Sequence, residues 1–155
     1  MADNQTKKAL VVYYSRTGAA AKVAAGLQKQ LGCPADKVSY EKEVGPGFIR
    51  ACLEAVFRKT CAIKGDASDA REFSRVIVVT PVWASGLSTP IRSYLKKHAE
   101  SIASYSLVSV MASNGDPEKD AAAAAGKKPE RAAVFLTEHV KKGDIDYASL
   151  AMLAE

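Results

Sequence analysis

Two hydroxyl side chains and a glycine stand together in the segment Ser15-Arg16-Thr17-Gly18, directly after a strongly apolar run. If a strand turns into a helix here, backbone N–H groups and the two hydroxyls converge at a helix N-terminus, where the helix dipole favours negative charge. A phosphate is the ligand that suits such a turn. The spacing is neither GxGxxG nor GxxxxGK[ST], which disfavours dinucleotide-binding and P-loop nucleotide sites. The alternative is that Ser15 and Thr17 only cap the helix.

Two further segments have side chains suited to a planar, polar ligand. Trp83 is the one tryptophan of the chain and follows a predicted strand, so its ring can lie flat on a ligand or pack against a neighbouring helix. Asn114-Gly115-Asp116 follows the next predicted strand and can bond the polar edge of a ring, or simply form a turn. Neither segment by itself distinguishes a ligand site from ordinary structure.

The pattern of apolar residues predicts the strands and helices that position these segments. Continuous β-branched and aromatic runs predict strands buried on both faces, whereas an apolar residue every third or fourth position predicts an amphipathic helix. The predicted strands are 9–14, 37–40, 76–80, 106–111 and 132–137, and the predicted helices are 20–31, 48–57, 88–95, 118–125 and 147–154. The apolar stripe of the helix 48–57 is predicted to pack in the core.

Strands that alternate with helices predict right-handed crossovers and a parallel sheet with helices on both faces. In such a sheet, ligands bind outside the carboxyl ends of the strands. The turn 15–18, the loop 81–86 around Trp83 and the loop 112–116 all follow predicted strands. We therefore expect these three segments to meet at one edge of the sheet.

The order of three segments resembles the flavodoxin-like family, in particular its flavodoxin and NAD(P)H-dependent FMN reductase branches. The segments are YYSRTG at 13–18, VIVVTPVWASGLSTPIRSYL at 76–95 and VSVMASNGD at 108–116, and the resemblance covers roughly residues 8–140. It implies one flavodoxin-like domain over residues 1–155, with a doubly wound α/β fold. In that fold a five-stranded parallel sheet of order 2-1-3-4-5 lies between two helix layers, as a three-layer α/β/α sandwich.

The resemblance also implies a non-covalently bound flavin mononucleotide (FMN). Its phosphate would lie in the turn after the first strand, and its isoalloxazine ring would lie against the loop after the third strand, with Trp83 as an aromatic platform. The residues implied to bind FMN are Ser15, Arg16, Thr17, Gly18, Ala19 and Ala20 for the phosphate, Pro81, Val82, Trp83, Ala84, Ser85 and Gly86 for the ring, and Ser113, Asn114, Gly115 and Asp116 for its other side or pyrimidine edge.

Two residues depart from the family's pattern. Ala20 stands where the family has a second threonine, which removes one hydroxyl from the phosphate turn. Ala84 stands where flavodoxins often have a glycine whose peptide turns to bond the reduced ring, and a Cβ makes the positive φ of that state harder to reach. We therefore expect weaker FMN binding and a preference for two-electron over one-electron chemistry.

The resemblance leaves three functions open. The chain is an electron carrier between a reductase and a partner protein, an enzyme that passes electrons from NAD(P)H to quinones or flavins, or a cofactor-free binding module. The net charge of +5 is spread along the chain in pairs of cations without interleaved aromatic residues, which disfavours nucleic acid. The polar start of the chain and its short apolar runs predict a cytoplasmic protein without a membrane segment. The resemblance to the reductase branch leaves a monomer or a homodimer as the expected state.

The thiols and imidazoles of the chain show no spacing typical of a site. Cys33, Cys52 and Cys61 are an odd number without a CxxC pair, and His98 and His139 have no partners at metal-binding spacing. We expect neither a disulfide framework nor a metal site, and we assign no catalytic side chain. Flavin chemistry requires none, because the cofactor transfers the electrons while the protein orients it.

Overall fold

The apolar runs of the sequence become strands of a central sheet in the computed structural model, which describes residues 7–42, 47–112 and 115–155. The strands are β1 Lys7–Tyr13, β2 Ala35–Lys37, β3 Ser39–Tyr40, β4 Ile63–Lys64, β5 Phe73–Trp83, β6 Gly86–Leu87, β7 Tyr105–Met111 and β8 Arg131–Leu136. The helices are α1 Ala19–Leu31, α2 Phe48–Val56, α3 Thr89–His98, α4 Pro117–Ala125 and α5 Thr137–Lys142, with 3₁₀ helices at Ala70–Glu72 and Tyr147–Ala154.

Five of the described strands form a parallel sheet in the order β2-β1-β5-β7-β8. Numbered among themselves in chain order these strands are 2-1-3-4-5, so the predicted fold class is confirmed. β1 pairs with β5 as far as Tyr13 opposite Val79, and β5 pairs with β7 as far as Pro81 opposite Val110. The three segments singled out in the sequence therefore leave the sheet at neighbouring points of its carboxyl edge.

Apolar side chains cover both faces of this sheet, which explains the continuous apolar runs of its inner strands. On one face Leu10 and Val78 belong to a core that includes Tyr94 of α3. On the other face Val11 packs in a core with Val23 of α1. Each such side chain contributes roughly 1.5 to 3 kcal/mol when it is fully buried. The two cores fix the positions of α1 and α3, whose first turns frame the carboxyl edge.

The two predicted amphipathic helices in the first half of the chain differ in the burial of their described apolar side chains. Val23 and Leu27 of α1 are fully buried. The prediction that the stripe of α2 packs in the core is wrong for its described side chains, which are exposed: Ile49 76%, Leu53 51%, Val56 56% and Phe57 67%. The side chains of Phe48 and Cys52 lie outside the described residues. On this side of the sheet the core includes apolar residues of α3 and α4.

Three other elements differ from the prediction. The strand expected over 37–40 is divided at the buried Val38 into β2, parallel to β1, and β3, antiparallel to β4. Thr137 begins α5 instead of ending a strand, and the C-terminal segment Tyr147–Ala154 is a 3₁₀ helix. Among the described residues no helix combines the length and the apolar character needed to cross a membrane.

Candidate functional site

The α1 turn, residues 15–18 between β1 and α1, is largely exposed to solvent. Gly18 is the N-cap of α1 with φ of 97°, in the left-handed region that favours glycine, and a Cβ added there would meet no atom within 4 Å. Its N–H donates to Ser15 Oγ at 3.1 Å, and its carbonyl accepts from the N–H of Lys22 at 3.0 Å. The helix amides before Lys22 have no acceptor within α1, and its first turn has no acidic residue. The turn therefore offers N–H groups to an anion from solvent.

The six residues implied to hold the phosphate differ in exposure. Arg16, Thr17 and Gly18 are exposed, Ser15 and Ala19 are half-buried, and Ala20 is buried. The Ser15 hydroxyl accepts from Gly18 and still has its own hydrogen to donate. The methyl group of Ala20 packs in the same core as Val23, so this position offers its backbone N–H to the turn and its side chain to the core.

The segment Pro81–Gly86, expected to be a loop, is mostly a β-hairpin. β5 continues through Trp83, which pairs with Gly86 on β6, because aromatic and β-branched residues extend the strand. The two-residue turn consists of Ala84 and Ser85 with φ of 46° and 66°, positive at both positions as in a type I′ turn. Ala84 thus already has the positive φ that its Cβ was expected to disfavour. A non-glycine residue in this left-handed backbone conformation costs roughly 1 to 2 kcal/mol. Contacts with neighbouring residues must therefore stabilise the turn.

Trp83 joins the hairpin to the α1 turn. Its ring stands edge-on to the ring of Tyr14, with centroids 5.6 Å apart and an interplanar angle of 89°. The guanidinium carbon of Arg16 lies over the Trp83 ring at 5.9 Å from its centroid, within cation–π range. Burial raises the pKa of the Tyr14 hydroxyl and outweighs the opposite effect of the Arg16 charge, so Tyr14 is neutral beside the indole. The structure therefore brings the turn 15–18 and the segment 81–86 together.

The described part of the loop after β7 packs directly on the hairpin turn. The N–H of Asp116 donates to the carbonyl of Ser85 at 3.2 Å, and a Cβ on Gly115 would lie 3.1 Å from the Ser85 Cα, so little more than glycine fits there. The Asp116 carboxylate accepts from the N–H of Lys119 and caps α4. The other two residues predicted for this loop, Ser113 and Asn114, lie outside the described residues.

A buried carboxylate anchors the hairpin from behind. Asp120 accepts from the N–H of Leu87 at 2.8 Å, from Arg92 Nη2 at 2.6 Å and from Arg58 Nη1 at 2.7 Å. Arg92 Nη2 also donates to the carbonyl of Leu87 at 3.0 Å, so both backbone groups of Leu87 are held. Gly86, predicted to contact the cofactor, is buried, and a Cβ there would overlap the Arg58 guanidinium and lie 2.7 Å from Asp120 Oδ2. Its role in this structure is to admit Arg58 to the carboxylate.

The environment of Asp120 keeps it ionised. Burial by itself would raise the pKa of this carboxyl, but hydrogen bonds from Arg92 and Leu87, together with the charges of Arg92 and Arg58, outweigh that effect and lower the pKa below its usual range. Arg92 is 3% exposed and Asp120 is 5% exposed. Removing either partner of such a buried ion pair destabilises the fold, because the remaining charge is left uncompensated.

Comparisons with known proteins address the fold. No protein-family model matches the sequence, and no curated protein matches it. Among solved structures, the chain is similar to a flavoprotein from Lactobacillus acidophilus NCFM in complex with FMN, with a TM-score of 0.74 and 18% identity over 90% of this chain and 99% of that chain. The apo-form of the L. acidophilus flavoprotein gives a TM-score of 0.64 and 18% identity over 88% and 96%. This protein has the flavodoxin-like fold.

A flavodoxin, WrbA-like protein from Agrobacterium tumefaciens also matches, with a TM-score of 0.53 and 14% identity over 94% of this chain and 96% of that chain. In the flavodoxin-like fold of the present chain, the α1 turn, the hairpin and the loop after β7 share the carboxyl edge. Among the residues predicted for the site, Arg16 contacts Trp83, and Asp116 is bonded to Ser85, so neighbouring segments meet as expected. Ala20 and Gly86 are instead buried behind the edge.

Sequence reasoning missed the anchor formed by Asp120 and two arginines. Asp120 precedes an alanine run, and Arg92 lies in a predicted helix three residues before the buried Leu95. The position of Arg92 on an apolar helix face indicated that its charge needs a buried partner. No local pattern identifies that partner, because Asp120 lies 28 positions away. His98, which had no partner in sequence, lies with Nε2 2.7 Å from Asp66 Oδ2, away from the hairpin.

Proposed function

We propose that this flavodoxin-like protein binds FMN non-covalently and transfers electrons between a redox partner and an acceptor. The observation that carries the proposal is the start of α1, where an exposed glycine turn, helix amides without acceptors within the helix, an exposed Thr17 and a half-buried Ser15 lie together. A dianionic phosphate is the ligand that best matches these donors and the positive end of the helix dipole. Ser15, Thr17 and the backbone of Gly18 would hold it.

The neighbouring hairpin has the character needed for a flat aromatic ring. Trp83 is half-buried and supported on its edge by Tyr14, while Arg16 supplies a cation at the same place. When bound, the flavin itself supplies electron or hydride transfer, and the protein supplies orientation and electrostatics. The exposed turn Ala84-Ser85 would lie against the ring. The Asp120 anchor behind the hairpin keeps that turn in place through Leu87.

A structural neighbour supports the choice of ligand. The flavoprotein from L. acidophilus that has this fold over 99% of its own length was determined in complex with FMN. Neither the GxGxxG nor the GxxxxGK[ST] turn of other phosphate-binding folds occurs at the start of α1. FMN therefore fits the fold and the turn together.

The electron donor is either a reductase protein or NAD(P)H, and kinetics distinguishes an electron carrier from an enzyme. We expect the FMN-loaded protein to act as a carrier that is reduced through a separate reductase. Steady-state NAD(P)H oxidation by the purified protein in the presence of a quinone would instead identify it as a reductase enzyme.

A cofactor-free module is the second candidate, and one observation favours it. The amide of Gly18 is already bonded to Ser15 Oγ, and the side chain at position 20 is turned into the core. Part of the donor set is thus occupied within the turn itself. On this alternative the flavodoxin-like fold remains as a scaffold and FMN does not bind.

An FMN titration of the flavin-free protein separates the two candidates. The one tryptophan of the chain is Trp83, so its emission reports directly on the proposed ring site. FMN binding predicts saturable quenching at one equivalent. Thr17→Ala removes one hydroxyl donor to a charged group, worth about 1.5 to 3 kcal/mol, so its FMN affinity is expected to fall roughly 10- to 100-fold.

Ser149→Ala is the control, because it also removes an exposed side-chain hydroxyl but lies in the C-terminal 3₁₀ helix. Its FMN affinity should equal that of the wild type. Absence of quenching in a folded wild-type protein favours the cofactor-free module. Equal weakening in Thr17→Ala and Ser149→Ala would reject the assignment of the phosphate to the α1 turn.

A further inference from the structure

A second concave surface lies beside the hairpin, on the side away from the α1 turn. α3, α4 and the segment that follows α2 enclose a cavity of about 290 Å³. Its polar lining comes from Arg58, Thr60, Arg92, Lys96, Lys119 and Asp120. Four of these side chains are cationic and one is a carboxylate, so the cavity has an excess of positive charge.

The one carboxylate is already paired, which leaves the other cations uncompensated. Asp120 binds Arg92 and Arg58, with side-chain nitrogen to oxygen distances of 2.6 and 2.7 Å. Among the residues that the structure describes, neither the Lys96 nor the Lys119 ammonium is paired with a carboxylate. Two lysines that are exposed and the partly exposed Arg58 therefore line one cavity. An anion placed between them would gain from all three.

Arg58 is held in position by its surroundings. It has φ of 53°, which is unusual for a residue with a Cβ, and its side chain is 47% exposed while Nη1 reaches the buried Asp120. The missing Cβ of Gly86 leaves the space that the guanidinium fills. Arg92 forms the floor of the cavity through bonds to Asp120, the Leu87 carbonyl and the Lys59 carbonyl. The cationic wall is thus built on a rigid base.

We propose that this cavity binds a small molecule that carries a phosphate group, at a site separate from the α1 turn. Cations from three segments surround one volume, which suits a multiply charged, roughly tetrahedral anion better than a single carboxylate. Thr60 adds a hydroxyl donor and, with Lys96, also lines an adjoining cavity of about 470 Å³. The organic part of an organic phosphate would extend into that second cavity.

Calorimetric titration with pyrophosphate tests the proposal on the whole chain at constant ionic strength. The wild type is expected to bind. Lys96→Gln combined with Lys119→Gln is expected to bind about tenfold more weakly, because two ion pairs are lost and each partly exposed pair contributes up to about a fivefold factor. Lys29→Gln combined with Lys141→Gln is the matched control, since it removes the same charge from exposed positions on α1 and α5. The control should retain wild-type affinity.

Thr17→Ala distinguishes this cavity from the α1 turn. Pyrophosphate binding that survives in Thr17→Ala and weakens in the Lys96/Lys119 variant supports the proposal, whether or not the protein binds FMN. Binding that is lost in Thr17→Ala and retained in the Lys96/Lys119 variant would place the anion in the α1 turn and overturn the proposal. Equal weakening in the Lys29/Lys141 control would overturn it too, as would no heat of binding with folded wild-type protein.

Discussion

The α1 turn and the Trp83 hairpin stand side by side at the carboxyl edge, yet they are stabilised in opposite ways. The turn is exposed, and the N–H of its Gly18 is bonded to the hydroxyl of Ser15 only three residues away. The hairpin is held by Asp120, which lies 33 residues beyond Leu87 in the chain and is buried. The first region can therefore change without unfolding the domain, whereas the second is part of its core. The carboxyl edge therefore combines one exposed turn with one hairpin that is anchored to the core.

The largest expected effect comes from removing the charge of the hairpin anchor. Asp120→Asn leaves Arg92 buried without its carboxylate, so the free energy of unfolding should fall by roughly 3 to 5 kcal/mol. Urea unfolding followed by circular dichroism measures it. Asp69→Asn is the control, because Asp69 pairs with Arg71 in solvent, and it should not move the midpoint. Similar losses in both variants would mean that the anchor is no stronger than a surface pair.

Adding a methyl group at Gly86, behind the hairpin, should have the next largest effect on the free energy of unfolding. In Gly86→Ala the new Cβ overlaps the Arg58 guanidinium, and we expect a loss of roughly 1 to 3 kcal/mol in urea unfolding. Gly47→Ala, where a Cβ meets no atom within 4 Å, should show no loss. Adding Arg58→Ala to Gly86→Ala should cost less than the sum of the two single changes. Strict additivity would contradict the steric explanation.

The α1 turn should respond more in binding than in stability. Gly18 has φ of 97° and open space around it, so Gly18→Ala should cost roughly 1 to 2 kcal/mol of stability through backbone strain without a clash. On the proposed function, the same change also tilts the amides of the turn and weakens FMN binding. Thermal unfolding and the Trp83 titration measure the two effects separately. A stability loss larger than that of Asp120→Asn would reverse the comparison between the two regions.

The smallest effect is expected in the pH dependence. The pKa of Asp120 is lower in the folded state than its ordinary value near 4, so its carboxylate stabilises the fold above that value and this stabilisation is lost as the pH falls through the folded-state pKa. Wild-type stability should therefore decrease on acidification below about pH 5 more steeply than that of Asp120→Asn. Urea midpoints at a series of pH values test this. Parallel profiles would show that Asp120 is not the titrating group.

Much of the fold was predictable because it rests on local patterns. The apolar runs predicted β1, β5 and β7, the period of apolar residues predicted α1, and their alternation predicted a parallel sheet. The order of the strands in that sheet came from the resemblance to the flavodoxin-like family. The hairpin was not, since Pro81 and the turn residues Ala84 and Ser85 are typical of a loop, and only the pairing of Trp83 with Gly86 makes a strand of this segment. It was predictable that the three segments meet at the carboxyl edge, but not that Ala20 and Gly86 are buried.

The sequence by itself determined the order of strands and helices, because strands that bury both faces and helices that bury one are specified by periods of apolar residues. It also determined which turns lie at the carboxyl edge, since that follows from the order. Only the tertiary structure decided that α1 buries Val23 and Leu27 while the described apolar side chains of α2 are exposed, and that Asp120 meets Arg92 and Arg58. These outcomes depend on which surfaces are already covered and on contacts between residues far apart in the chain, and no local period contains that information.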